Sequence, residues 1–321
     1  MAVVACALSG LAAATGTATF RGQNGLIAFR SDVGNTAARE SHAIWVVKPD
    51  GTDARKVTPG ARPPNGETDY SAVFLPDGRR FAYVSQVFDE NFSVENQIYV
   101  KSVSAPANAR GAPVLPEAVA YRILSLGISR NGRELVLAAE PPPLSRTQIF
   151  LVSLDNGEMT QLTSGQMAAR TPEFAADGGT IIFAARKSQR GGIFTVRTDG
   201  TRLRQLTSRP GDGAPSYSPS GTRIVFNRHA GGGIRIFSMR PDGSQVTQLT
   251  DGPFVDRGPV FSPDGGSIAF SRAGAGSNPD IYAMRADGSG VHLVYRSRGR
   301  NFSDFAPDWG RKQSASASAT R

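Results

Sequence analysis

A carboxylate recurs in one short phrase of this 321-residue chain. Asp77 stands in FLPDGRRFAYVSQ, Asp177 in FAADGGTIIFAAR and Asp264 in FSPDGGSIAFSR, while Asn131 and Ser220 hold the corresponding places in ISRNGRELVLAAE and YSPSGTRIVFNR. An acid at regular spacing suits either acid–base chemistry and ligation or the closing of tight turns. Turn chemistry accounts for the phrase: Pro presets φ, Asp accepts from the backbone just downstream, and Gly completes the reversal. Asn131 and Ser220 serve such a turn but could not stand in for a catalytic carboxylate. FAPDWG, from Phe305, places Asp308 another 44 residues beyond Asp264 and is assigned to the same turn.

The other residues capable of chemistry do not converge. His42 precedes a third strand, His229 lies in a loop and His292 in a fourth strand, so they are not equivalent positions that would gather around a metal. Glu67, Asp69, Asp89, Glu90 and Glu95 crowd one pair of loops, but Ca²⁺ needs tighter ligand spacing, and solvated acids are expected. No Gly-x-Ser-x-Gly elbow, phosphate-binding glycine loop or His-Glu-x-x-His is present. Neither a catalytic residue, a metal nor a cofactor is therefore assigned. Cys6 is the sole cysteine, which leaves no disulfide.

The elements that must position these residues are strands. From Asp77 the turn positions advance by 54, 46, 43 and 44 residues to Asn131, Asp177, Ser220 and Asp264. Each copy is followed by a second phrase, such as QIFLVSLDNGEMTQLT, GIFTVRTDGTRLRQLT or RIFSMRPDGSQVTQLT: a β-branched and aromatic run, Asp-Gly or Asn-Gly, and another short run. That is strand, tight turn, strand. Four strands about every 44 residues is the spacing of a β-propeller blade. NGLIAFRSD (Asn24–Asp32) is a second strand without a lead-in, and FAPDWG is a lead-in without a second strand. Joined, they complete a ring. The expected fold is all-β: a six-bladed propeller of four-stranded antiparallel blades over residues 24–310, its last blade closed by N- and C-terminal strands.

FSPDGGSIAFSR and DIYAMRADGSG resemble the Pro-Asp repeats of TolB-type propellers, a WD40-like group, over about residues 24–310. The resemblance implies the fold and an exported protein. It leaves activity open, because the group includes periplasmic partner-binding proteins and propellers attached to peptidases. Within a blade the turns are short and alike. The connections between second and third strands and between blades are longer and varied, and strand order brings both to one face. Gly60–Tyr70, Val87–Asn96, Arg228–Gly233 and Tyr295–Asp304 are expected to ring that channel mouth. Its binding candidates are Arg186, Arg228 and Arg272, at the ends of three successive second strands, together with Asp69 and Asp256.

The net charge of +9 (36 basic against 27 acidic residues) favours anionic partners. A protein or an anionic envelope component is expected; nucleic acid is not, since no basic motif is interleaved with aromatics. Residues 1–23 read as a signal-like leader, apolar from Met1 to about Ala14 but without a positive start. Residues 311–321 read as a disordered tail. The function expected is that of a non-catalytic binding or scaffold propeller: monomeric, extracytoplasmic and not integral to a membrane. The alternative is a propeller hydrolase, lactonase-like and metal-dependent, or a stand-alone relative of peptidase-associated propellers.

Overall fold

A computed structural model describes residues 22–32, 42–60, 67–88, 94–116, 121–143, 146–187, 190–274, 277–296 and 307–312. Residues 1–21, within the expected leader, residues 313–321, within the expected tail, and much of the connections expected at 60–70, 87–96 and 295–304 lie outside the described residues. In chain order the strands are β1 (Asn24–Asp32), β2 (His42–Val47) and β3 (Arg55–Lys56); β4 (Glu67–Phe74), β5 (Arg80–Phe88), β6 (Val94–Ser102) and β7 (Ala112–Pro113); β8 (Arg122–Ile128), β9 (Glu134–Glu140), β10 (Gln148–Ser153) and β11 (Met159–Gln161). They continue as β12 (Ala168–Phe174), β13 (Thr180–Lys187), β14 (Arg190–Arg197) and β15 (Arg204–Gln205); β16 (Gly213–Tyr217), β17 (Ile224–Ala230), β18 (Gly233–Met239) and β19 (Thr247–Gln248); β20 (Val255–Phe261), β21 (Ser267–Ala273), β22 (Asp280–Arg285) and β23 (His292–Tyr295); and β24 (Asp308–Arg311).

Four sheets contain four strands each, in the orders β24-β1-β2-β3, β4-β5-β6-β7, β8-β9-β10-β11 and β12-β13-β14-β15, and β16 to β23 form a single eight-stranded sheet. The expected six-bladed propeller is therefore corrected: four blades of four strands stand as separate sheets, and β16 to β23 are one continuous sheet rather than two further blades. A parallel bridge between Ile234 and Val255 makes the junction. Its cause is local. A Cβ on Gly233 would lie 2.6 Å from the Phe254 carbonyl oxygen, so only glycine admits this approach. The buried Arg235 guanidinium then donates to the carbonyl oxygens of both Ile234 and Phe254.

Asp308 is also corrected. It lies in β24, opposite Ala28 of β1, with Trp309 opposite Ile27. Trp309 thus occupies the place that Phe174, Tyr217 and Phe261 hold in β12, β16 and β20, and Pro307 corresponds to Pro259 rather than to Pro263. FAPDWG is four residues out of phase with FSPDGG. The other turn assignments agree with the geometry: Asp77 accepts from the Arg79 and Arg80 amides, Asp177 from those of Gly179 and Thr180, and Asp264 from that of Gly266. Asn131 and Ser220 accept in the same way from Arg133 and Thr222.

Repetition in the sequence becomes repetition in the core. Second and third strands face each other through aromatic pairs 5.7–6.2 Å apart, Tyr83–Tyr99, Phe183–Phe194, Phe226–Phe237 and Phe270–Tyr282. Fourth strands are short, and a buried threonine compensates. Thr58, Thr163, Thr207 and Thr250 accept the amides of Ile44, Ile149, Ile193 and Ile236 at 2.9–3.0 Å. The Asp-Gly turns abut the neighbouring repeat: at Gly243 (φ +88) and Gly288 (φ +91) a Cβ would stand 2.7 Å from the carbonyl oxygens of Leu206 and Leu249. Glycine is needed there for both the left-handed backbone and the close approach.

Candidate functional site

Antiparallel order places the starts of the first strands, the ends of the second strands and the variable connections on one face. The Pro-Asp and Asp-Gly turns lie on the other. Five residues before the aromatic that ends each first strand, Asp69, Asp212 and Asp256 occupy equivalent positions ahead of Phe74, Tyr217 and Phe261. Two residues after the second-strand aromatic stand Arg228 (after Phe226) and Arg272 (after Phe270).

These positions meet. Arg228 donates Nε and Nη2 to the two carboxylate oxygens of Asp212 at 2.6 and 2.8 Å, and Arg272 donates to Asp256 at 2.7 and 2.8 Å. The carboxylates are fully buried and the arginine side chains only 12 % and 11 % exposed. Each guanidinium also lies over rings, Arg228 over Phe226 and Phe237, and Arg272 over Phe254, Phe270 and Tyr282 at 4.5–5.5 Å. Such clamps fix the rim from which the connections leave. They also neutralise the charge that an anion-attracting arc would use.

Arg186 is exposed and stands one position beyond the Arg228 register, opposite Ala168 of β12. Asp69 is buried and accepts the Gly60 amide at 2.9 Å, which ties down the start of the Gly60–Tyr70 connection. The structure therefore brings Asp256 to Arg272 and Asp212 to Arg228. The histidines remain apart: His42 is buried beside Thr68, His229 is exposed on the mouth hairpin, and His292 is exposed in β23, bonded to the Gly290 carbonyl. Burial and the Arg30 charge push His42 down to about 4. Among the described residues, no group of three His, Cys, Asp or Glu is arranged to hold a metal ion.

Below the rim, β4, β8, β12, β16, β20 and β24 enclose a central cavity of about 140 Å³. Each contributes one equivalent position to its wall: Val73, Gly127, Glu173, Ser216, Val260 and Asp308. The two acids clasp the next first strand. Glu173 accepts the Tyr217 amide at 3.0 Å, and Asp308 accepts the Phe74 amide at 2.7 Å. Both border the cavity yet are surrounded by protein. Burial raises Glu173 to about 8 against the opposing pull of the Tyr217 amide, and raises Asp308 to about 6. Thr171 Oγ1 and Trp309 Nε1 are buried in this wall without hydrogen-bond partners among the described residues.

Sequence reasoning missed Glu173, Asp308 in this role, and two exposed arginines of the first strands, Arg170 and Arg257. A signal existed. Aligning the lead-ins on Phe174, Tyr217, Phe261 and Trp309, instead of on the turns, would have set the acids side by side.

Known proteins share this architecture. Residues 208–312 match the family model described as the TolB beta propeller domain. TolB from Acinetobacter baumannii superposes with a TM-score of 0.68 at 18% identity, over 90% of this chain and 67% of that one. A protein described as putative TolB from Agrobacterium tumefaciens does so with 0.64 at 20% identity, over 85% and 90%. A puromycin hydrolase shares the fold with a TM-score of 0.57 at 15% identity, over 86% of this chain and 45% of that one. Dipeptidyl-peptidase 5 of Porphyromonas endodontalis is 30% identical over 94 residues, 28% of this chain and 14% of the peptidase. This chain thus matches only a small part of the curated relative's length. Repeat, sheets and structural likeness together show a β-propeller fold, of which residues 208–312 are similar to the TolB beta propeller domain.

Proposed function

We propose that the protein is a non-catalytic binding propeller acting outside the cytoplasm, which recognises a protein or an anionic envelope component through the channel mouth. The supporting observation is the paired clamps Arg228–Asp212 and Arg272–Asp256. They hold the rim beneath the variable connections rigid, and a preorganised rim lowers the ordering cost of binding. The likeness to two TolB structures supports the same reading of fold and location. Arg186 and His229 are exposed on this surface, and the buried Asp69 anchors the connection beside it.

A photo-crosslinking amino acid at His229, on the mouth, and another at Arg197, on the turn face, test the reading in cells of the source organism. Discrete adducts from position 229 and none from 197 are expected. Adducts at 197 alone would overturn it. The second reading is a hydrolase or a propeller allied to a peptidase, favoured by the likeness to dipeptidyl-peptidase 5 and puromycin hydrolase. It requires turnover of peptide nitroanilides by the purified chain or, for a metal-dependent lactonase, lactone hydrolysis abolished by chelator.

A further inference from the structure

Three successive first strands present a distinct pattern four residues before their terminal aromatics: Arg170 before Phe174, Gly213 before Tyr217 and Arg257 before Phe261. Both arginines are exposed, and neither side chain makes a hydrogen bond or ion pair among the described residues. They contrast with Arg228 and Arg272, whose charge is spent on buried aspartates. β12 packs against β16, and β16 against β20, so the two guanidiniums flank a strand that carries only a glycine at their level. Their chain neighbours Thr171 and Gly258 are the first residues of β12 and β20 to line the central cavity. The register of each strand shifts just there, between Arg170 and Glu173 and between Arg257 and Val260, with Thr171 and Gly258 at φ +48 and +58. The bulges separate the exposed arginine above from the wall position below.

We infer that Arg170 and Arg257, on either side of Gly213, form a carboxylate-binding notch at the throat of the channel, which receives one acidic segment of a polypeptide partner. Guanidinium forks match planar carboxylates bidentately, and the missing side chain at Gly213 leaves room between them. Asp212 and Asp256 are neutralised by their clamps, and the two wall acids, Glu173 and Asp308, lie deeper than the bulges, each accepting the amide of the next first strand. A cavity of about 140 Å³ behind the notch accepts a side chain or a chain end, which a bilayer's array of headgroups cannot deliver. The inference rests on the mouth being the binding surface and names the chemistry of what binds there.

The probe is fluorescein-labelled deca-glutamate, followed by fluorescence polarisation at low salt. Arg170→Ala with Arg257→Ala, and separately the bulk-preserving Arg170→Gln with Arg257→Gln, are each expected to weaken binding by about tenfold or more, the scale of lost charge-assisted contacts. Arg197→Ala with Arg240→Ala removes the same net charge from the opposite face and is expected to change binding by less than about twofold. Equal losses in throat and control variants would reduce the effect to net charge and overturn the notch. Failure of the unaltered protein to bind the peptide would also overturn it, while leaving the crosslinking result at position 229 intact. If the throat variants lose binding to phosphatidylglycerol vesicles but not to the peptide, the site is a lipid contact and the assignment fails.

Discussion

The recurring aspartates divide by environment. Asp77 and Asp177 take two turn amides each on an exposed face, whereas Asp308 sits in the channel wall and is an acceptor for the Phe74 amide of a different sheet. Asp308→Ala strands that amide in a buried place, and a loss of about 1–3 kcal/mol is expected in urea denaturation. Asp77→Asn with Asp177→Asn is expected to be almost silent, because Asn serves the same turn. Arginine at the rim behaves as structure. Arg272→Ala leaves Asp256 buried and unpaired, and a cost of about 3–5 kcal/mol is expected by the same measurement. A change under about 0.5 kcal/mol, the usual limit for surface substitutions, would show the pair to be an ordinary surface contact.

At the level of elements, closure depends on β24. Its Trp309 is buried against Ile27, Phe29 and Val260, so β24 links β1 to the wall of the eight-stranded sheet. Truncation after Arg296 removes this strand together with the Asp308 clasp. It is expected to lower the melting temperature by many degrees, since lost stability scales with the apolar area re-exposed. Truncation after Lys312 leaves β24 whole and is expected to leave the melting temperature unchanged. Equal melting temperatures for the two truncations would show that β24 does not hold the ring. The same strand illustrates a limit of reading by motif. Pro-Asp followed by an aromatic and glycine looks like the turn phrase, but Trp309 must fill an aromatic slot of the core, and burial outranks local turn preference.

For the whole molecule, the buried acids predict an uncommon dependence on pH. Glu173 is raised from 4.5 to about 8, so the folded protein binds a proton that the unfolded chain has released. Stability from this group is full below about pH 4.5 and is lost as pH rises through about 8. His42, lowered from 6.5 to about 4, works the other way and withdraws stability as pH falls below 6.5. Between pH 6.5 and 8 the Glu173 contribution is therefore exposed, and stability is expected to fall with pH by up to about 1.4 kcal/mol per unit. Urea midpoints of the unaltered protein and of Glu173→Gln across that interval check it. A parallel slope in the variant would remove Glu173 as the cause.

What the sequence by itself determined was periodic: strands about every ten residues, two kinds of turn, and one face on which unequal connections gather. These follow from local rules, alternation and turn chemistry, that act on a few neighbouring residues. The tertiary structure alone decided which charges are spent and which remain. Arg228 and Arg272 look like Arg170 and Arg257 in the sequence, yet only the first two find an aspartate 16 residues upstream across the strand pair. The joining of β16 to β23 into one sheet was equally illegible, because it turns on Gly233 admitting the Phe254 carbonyl, a contact between segments whose local patterns are unremarkable. Charge compensation and close backbone approach depend on three-dimensional neighbours, and the repeat places those neighbours without announcing what they will hold.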